Sequence, residues 1–311
     1  MDSVCFMKNT ASYCFNTASS VRYSLVIATL HDDGELRRCL DSLLALSVGP
    51  VFEVIVIDQN GDDRLVGVVK EFANRLSLVH ERVGFRAACR ARNLGVRLAR
   101  GEWVGFPDDD CQLLPDTLRE VDRVTCLPRV RVVSGRTVDA SGDPTVLRWR
   151  KEQVEFTRWT MFGCLTEATL FVRRDAFLSV GGFDERFGPG ARFPAAEGID
   201  LMNRLFDFMR DGREVACYSP RICMIHPSKI PPWNRWAVGR FHAYAYGDGG
   251  LIAKNPGPHM LYWGARTLFA ASLQAMPMRG WRSLAFAARL VGLFRGFFVG
   301  LLVFHLLPRK E

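Results

Sequence analysis

Along the first 110 residues the apolar positions follow two periods that take turns. YSLVIAT, from Tyr23, is a short and nearly continuous apolar run, which predicts a strand buried on both faces. Glu35 to Leu46 then places apolar residues at helical spacing. VFEVIVID (Val51 to Asp58) predicts a second strand, and Arg64 to Arg75 a second amphipathic helix. The alternation continues through LSLVH, a helix from about Ala87 to Arg100, and the strand EWVGFPD (Glu102 to Asp108). Strands separated by helices of about ten to fifteen residues predict an α/β domain, a parallel sheet with helices on both faces.

Beyond this the pattern loosens. VRVVSGRTVD and ATLFVRR predict two more strands, the second leading into a helix near Arg174. GGFDERFGPGARFPAAEGID (residues 181–200) is a Gly/Pro-rich loop opening into a helix from Gly198 to Met209. Short strands are expected at Glu214 to Tyr218 and at Ile222 to Ile225. Near the C-terminus, residues 267–278 and 296–307 are apolar runs of twelve residues each. A spanning helix needs about twenty. Extending either run brings in Arg279, Arg282, Arg289 or Arg295, so the expectation is a pair of helices lying in a membrane interface. A single tilted span and a helical cap on the domain are the alternatives. The expected organisation is a flexible tail over 1–21, the α/β domain over 22–228, and a basic, apolar helical region over 229–311.

Charge sharpens that division. The net charge is +8, yet residues 221–311 hold twelve Lys/Arg against two acidic residues while residues 1–220 are close to balanced. The basic part faces an anionic surface. Its cations sit among Leu, Phe and Trp, which suits lipid and not nucleic acid. The nine cysteines form no CxxC pair, and the first twenty residues lack the apolar run of a signal peptide, so a cytoplasmic setting with reduced thiols is expected.

Ligands of such sheets gather at the carboxyl ends of the strands. Three strand ends are polar here: Thr29 with His31 and Asp32, then Asp58, then Asp108, Asp109 and Asp110. Three adjacent carboxylates repel one another, and a hard divalent cation, Mg²⁺ or Mn²⁺, would offset them while leaving room for a diphosphate. In an extended segment Asp108 and Asp110 point the same way. A solvated acidic turn before a helix from Leu114 is the plainer reading. Asp58 is placed to accept from a pyrimidine imide, or else simply forms a turn before Asn60-Gly61. Arg86, Arg90, Arg92 and Asn93 stand at a loop-to-helix transition, where arginine suits a diphosphate. Glu197 and Asp200 begin a helix, which the helix dipole alone would explain; the functional reading makes one a general base. His226 follows a short strand and either is structural or completes a metal sphere.

Taken in order, YSLVIATLHDDGELRRCLDSL, EVIVIDQN, ARNLGVRLARGEWVGFPDDD and VGGFDERFG…EGIDLMNRL resemble the family 2 inverting glycosyltransferases of the GT-A fold, over roughly residues 22–228. The resemblance implies a Rossmann-like, mostly parallel sheet and a nucleotide-sugar donor, UDP first, with GDP and dTDP as alternatives. It implies that Thr29 and Asp58 bind the base and ribose, that Arg92 lies near the diphosphate, and that Asp108 and Asp110 form the DxD motif. Asp110 and Asp108, with His226, would hold Mn²⁺ or Mg²⁺; Asp108 and Asp109 would also face the donor. Many members carry Glu-Asp at the base position, whereas this chain reads Glu197-Gly198, with Asp200 two residues on. Glu197 is therefore taken as base and Asp200 as its support. RLVGLFRGFFVG is similar to the membrane-associated tails of bacterial members that build surface polysaccharides on lipid-linked acceptors, which implies a peripheral place on the cytoplasmic side of the inner membrane.

Two other functions compete. A sugar-1-phosphate nucleotidyltransferase would show a Gly-rich, basic loop after the first strand, but ATLHDDGEL has one glycine and neither Lys nor Arg. A non-catalytic nucleotide-sugar-binding protein of the same fold is motivated by Gly198.

Overall fold

The computed structural model describes residues 21–30, 33–46, 49–228, 230–277 and 279–307. Residues 1–20 of the expected tail, with His31 and Asp32, lie outside them. The elements run β1 (Tyr23–Thr29), α1 (Asp33–Leu44), β2 (Phe52–Asp58), α2 (Val66–Ala73), β3 (Leu78–Arg82), α3 (Ala88–Leu98) and β4 (Trp103–Gly105). β5 (Gln112–Leu113), α4 (Thr117–Thr125), β6 (Val130–Val138), β7 (Val154–Phe156), β8 (Phe171–Arg173) and α5 (Arg174–Ser179) follow. Then come α6 (Glu197–Phe208), β9 (Val215–Ile225), α7 (Arg235–Lys254), α8 (Pro258–Ala275) and α9 (Gly280–Leu301), which ends in a π-helical turn over Leu302–Leu306.

The chain forms two compact units. One holds the residues up to Arg86 with Arg90–Gly182 and Leu201–Ser228; the other holds Ala87–Cys89, Phe183–Asp200 and the C-terminal helices.

In the first unit the described strands form one sheet in the order β3-β2-β1-β4-β8-β6-β9-β5, with β7 against β9. β3, β2, β1 and β4 are parallel, β8 is antiparallel to β4 and β6, and β5 and β7 are antiparallel to β9. β1 and β2 are apolar at nearly every position because both faces are covered, and Leu25, Ile27, Val54 and Val56 pack with Phe72 and Trp103 in the core. Glu53, acidic near the start of β2, is satisfied by the Ser24 hydroxyl at 2.7 Å and by the Arg100 backbone N–H and Nε at 2.7 and 2.8 Å. α3 lies close on β1 at Gly95, where a Cβ would come within 2.3 Å of Val26.

Several boundaries differ from the sequence expectation. The helix expected from Leu114 begins at Thr117, because Gln112 and Leu113 first pair with β9. The two strands expected over 214–225 are one, whose pairing with β6 shifts register between Ser134 and Arg136. In the second unit the two twelve-residue apolar runs overlap the C-terminal parts of α8 and α9, 18 and 22 residues long. α7, which lies in the expected helical region without having been given bounds of its own, is capped by Asn234, whose Oδ1 accepts from Ala237 N at 3.0 Å.

α7 and α9 touch backbone to backbone. A Cβ on Gly292 would lie 2.3 Å from the His242 carbonyl oxygen, and one on Gly249 2.1 Å from that of Leu293. Asp248, beside this contact, lies 3.7 Å from Arg289. Burial pushes its carboxyl up to about 6, and Arg289 only partly opposes this. A raised carboxyl favours the protonated form in the fold, so its contribution is full below the ordinary value of 3.8 and is lost as pH rises through 6. The gap is worth about 3 kcal/mol. Asp248→Asn should therefore raise Tm at pH 7.5 and lose that advantage below pH 4, a difference readable by thermal unfolding at the two pH values.

Candidate active site

Thr29 and Asp58 end adjacent parallel strands in direct register. Their side chains do different things. The Thr29 hydroxyl donates to Asp109 Oδ2 at 2.7 Å. Asp58 is buried; its Oδ1 accepts from the backbone N–H and the side-chain amide of Asn60, both at 2.9 Å, which is the Asx turn the sequence suggested. Its Oδ2 faces His80 Nε2 at 3.2 Å, with Arg82 Nε at 4.0 Å.

β4 stops at Gly105, and Asp108–Asp110 form a turn, closed by the Cys111 N–H donating to the Asp108 carbonyl at 3.1 Å, and not the extended segment expected. Asp108 and Asp110 nevertheless converge. Asp108 Oδ1 accepts from Arg92 Nη2 at 2.6 Å. His226 Nε2 lies 3.6 Å from Asp110 Oδ1 and 3.9 Å from Asp108 Oδ2. Asp109 turns instead to Thr29; burial pushes its carboxyl up to about 6 despite that hydrogen bond, and Asp108, Asp110 and Glu35 add to the rise.

The two-residue β5 explains how His226 arrives. Its pairing Gln112↔Ile225 sets the residue before β5, Cys111, beside the residue after β9, His226. Ligand atoms of Asp108, Asp110, Cys111 and His226 all lie within 4.8 Å of one another. Burial, reinforced by Asp108 and Asp110, pushes the Cys111 thiol well above its usual range. Two carboxylates and an imidazole suit a divalent cation such as Mn²⁺. His226 Nδ1 is buried with no hydrogen-bond partner among the described residues.

Of the other sequence candidates, Arg90 stacks its guanidinium on Phe85, 4.1 Å from the ring centroid. Glu197 and Asp200 belong to the second compact unit. Glu197 is the first residue of α6, follows Ala196 at φ +75°, and is buried. Asp200 is fully buried, its Oδ1 accepting from Lys254 Nζ at 2.5 Å and Asn255 Nδ2 at 3.3 Å. Cys111, His80 and Lys254 were not singled out in the sequence. Cys111 adjoins the acidic run and was open to that inference; the other two carry no local signal.

The sheet, its polar strand ends and the acidic turn define an α/β domain of the GT-A type with a cation-competent cluster. Residues 24–182 match the model of glycosyl transferase family 2, and the chain belongs to that family. It is 27% identical over 235 residues to the hyaluronan synthase of Pasteurella multocida, covering 60% of this chain and 23% of that protein. Among solved structures it resembles a mannosyltransferase of Pyrobaculum calidifontis in complex with GDP-Man and Mn²⁺, at TM-score 0.59 and 17% identity, over 91% of this chain and 74% of that one. It also resembles Staphylococcus aureus TarS, at TM-score 0.57 and 14% identity, over 90% of this chain and 55% of that one. The chain thus spans about a quarter of the hyaluronan synthase and about half of TarS.

Proposed function

We propose that this protein transfers a sugar, with inversion, from a nucleotide-diphosphate sugar to a hydroxyl of a saccharide or lipid-linked acceptor in glycan synthesis. The observation that carries the reading is the convergence of Asp108, Asp110 and His226 beside the Thr29–Asp109 pair. Asp110 and Asp108, with His226, would hold Mn²⁺ or Mg²⁺, whose charge would stabilise the departing nucleotide diphosphate. Arg92, already on Asp108, adds a fixed positive charge at the same place. Thr29, Asp58 and Asp109 line the strand ends where the nucleotide would bind. Glu197 would take the proton from the acceptor hydroxyl. UDP is the first donor nucleotide to test: the related structures include UDP and UDP-GlcNAc complexes of TarS as well as the GDP-Man complex. The deciding experiment titrates UDP, GDP and dTDP against the protein with Mn²⁺ and with EDTA. Stabilisation by one nucleotide, lost with EDTA, supports the reading; none with any nucleotide sinks it.

The same proposal places the protein peripherally on the cytoplasmic face of a membrane. Gly280–Leu306 is 27 residues long and apolar enough to cross a bilayer. Two features argue that it lies flat. α7, carrying Arg240, Asp248 and Lys254, is packed along α9 and would have to enter the bilayer with it. Arg295 projects near the middle of the exposed face, where a span would cost about 3 kcal/mol. Trp281, Leu284, Val291, Phe294 and Phe298 on α9, with Leu302 in the π-helical turn after it, are exposed, as are Phe269 and Leu273 on α8 and Met276 just beyond it. That face, in the basic part of the chain, suits one leaflet of an anionic bilayer. The protein should float with vesicles containing phosphatidylglycerol, and Phe294→Asp/Phe298→Asp should weaken this at least about tenfold, given the transfer cost of two buried aromatics. Unchanged flotation of the double variant, or termini of α9 reached by protease from opposite sides of the vesicle, would refute the flat docking.

A further inference from the structure

The segment Phe183–Asp200 has no regular secondary structure before α6 begins at Glu197, and it is rich in Gly and Pro. Such a segment does not hold a side chain in place by itself. The Phe187 and Phe193 rings also stack on Phe304, and the Ala88 N–H donates to the Pro189 carbonyl at 3.0 Å, but two sets of contacts fix its course and its ends. Near its middle, the Gly188 N–H donates to the Phe193 carbonyl at 2.8 Å and the Phe193 N–H to that of Arg186 at 2.9 Å, while the Phe187 and Phe193 rings stack at 5.2 Å. Its two ends share one cation, Lys254. Lys254 Nζ, on the last turn of α7, donates to Asp184 Oδ2 at 2.7 Å and to Asp200 Oδ1 at 2.5 Å. The three side chains are 16%, 12% and 0% exposed, so water does little to screen them. Arg186 Nη2 also donates to Asp184 Oδ2 at 2.7 Å. Burial would push the Asp184 carboxyl up, but Arg186 and Lys254 outweigh it and hold it well below the usual range.

From these contacts we infer that Lys254 is a positioning residue for sugar transfer: by binding Asp184 and Asp200 together it fixes the loop that presents Glu197. The inference rests on the proposed assignment of Glu197 as base. Asp200, fully buried and held by Lys254 and Asn255, serves as an anchor and not as a second base. Glu197 stands one turn before it on α6 and directly after Ala196, whose φ of +75° is a strained conformation for a residue with a Cβ. Gly188, at φ +92°, comes so near that a Cβ there would lie 3.2 Å from the Glu197 carboxyl carbon. Release of either end of the segment lets that strain relax and the carboxylate drift.

A misplacement of about 1 Å costs about 10²-fold in rate. Lys254→Met should therefore lower kcat about 10²-fold, and Lys254→Arg should recover most of it. The proposed donor residues all belong to the other compact unit, so Mn²⁺-dependent UDP affinity should stay within twofold of the parent, which a general loss of folding would not permit. If Lys254→Met does not fold, Asp184→Asn releases one end alone and should show the same split between kcat and UDP affinity. Unchanged kcat in these variants, or kcat and UDP affinity falling together, overturns the inference. Glu197→Gln separates the two levels. If it retains turnover, the base assignment fails; if it is inactive while Lys254→Met turns over normally, only the positioning role fails.

Discussion

If Asp110 holds the proposed cation, Asp110→Ala is expected to lower turnover by about 10³-fold or more, because several kcal/mol of leaving-group stabilisation would be forfeited and about 4 kcal/mol is a factor of 10³. Of the three aspartates, Asp110 holds the carboxylate oxygen nearest His226, at 3.6 Å, while Asp108 accepts from Arg92 and Asp109 is turned to Thr29. The variant should keep its unliganded Tm or gain slightly, since one of three adjacent carboxylates is gone. What it should lose is the rise in Tm with UDP and Mn²⁺, about 2.7 kcal/mol at a hundredfold excess over Kd in the parent. Thermal unfolding with and without UDP, Mn²⁺ and EDTA reads this, alongside release of UDP in a turnover assay. An Asp110→Ala protein that still turns over and still gains full Mn²⁺-dependent stabilisation would remove the cation cluster from the reaction.

The parallel half of the sheet was legible because each strand is an apolar run buried on both faces and each helix an amphipathic stretch between runs. The acidic turn was legible because three carboxylates in a row need an explanation. Its geometry was not. The two residues of β5 are too few to carry a period, yet their pairing with β9 brings Cys111 and His226 together from distant parts of the sequence. The C-terminal helices were underestimated for a different reason. Arg282 and Arg289 read as limits to the apolar run, but Arg282 faces the Trp233 ring at 5.7 Å and Arg289 approaches Asp248, so both charges are used without ending the helix. α7 fell inside the expected helical region over 229–311 but was given no bounds, and it carries four glycines, Gly239, Gly247, Gly249 and Gly250. Each costs about 1 kcal/mol of helix propensity, which at Gly249 the close approach of α9 offsets. The Asp184–Lys254–Asp200 link joins residues 54 and 70 positions apart, a separation that no local pattern reports.

That close approach predicts the largest stability loss. Gly292, Gly296 and Gly300 recur every fourth residue, so they share the α9 face turned to α7. A Cβ on Gly296 would lie 2.0 Å from the Tyr246 carbonyl oxygen, and the obstacle is backbone, which has no rotamer to change. Gly296→Leu must separate the helices by more than an ångström along their shared length, and it should destabilise the second unit by about 4 kcal/mol or more. Gly239→Ala, on α7 with nothing within 4 Å of a new Cβ, should instead stabilise by about 0.5–1 kcal/mol, as replacing glycine in an open helix position does. Chemical unfolding of the two variants separates packing from propensity. The sign difference also bears on the membrane. If α9 stood alone in the bilayer, its glycine face would meet lipid and Gly296→Leu would cost little. A large loss means that the polar α7 and the apolar α9 fold as one body, which can rest on a leaflet but cannot thread through it.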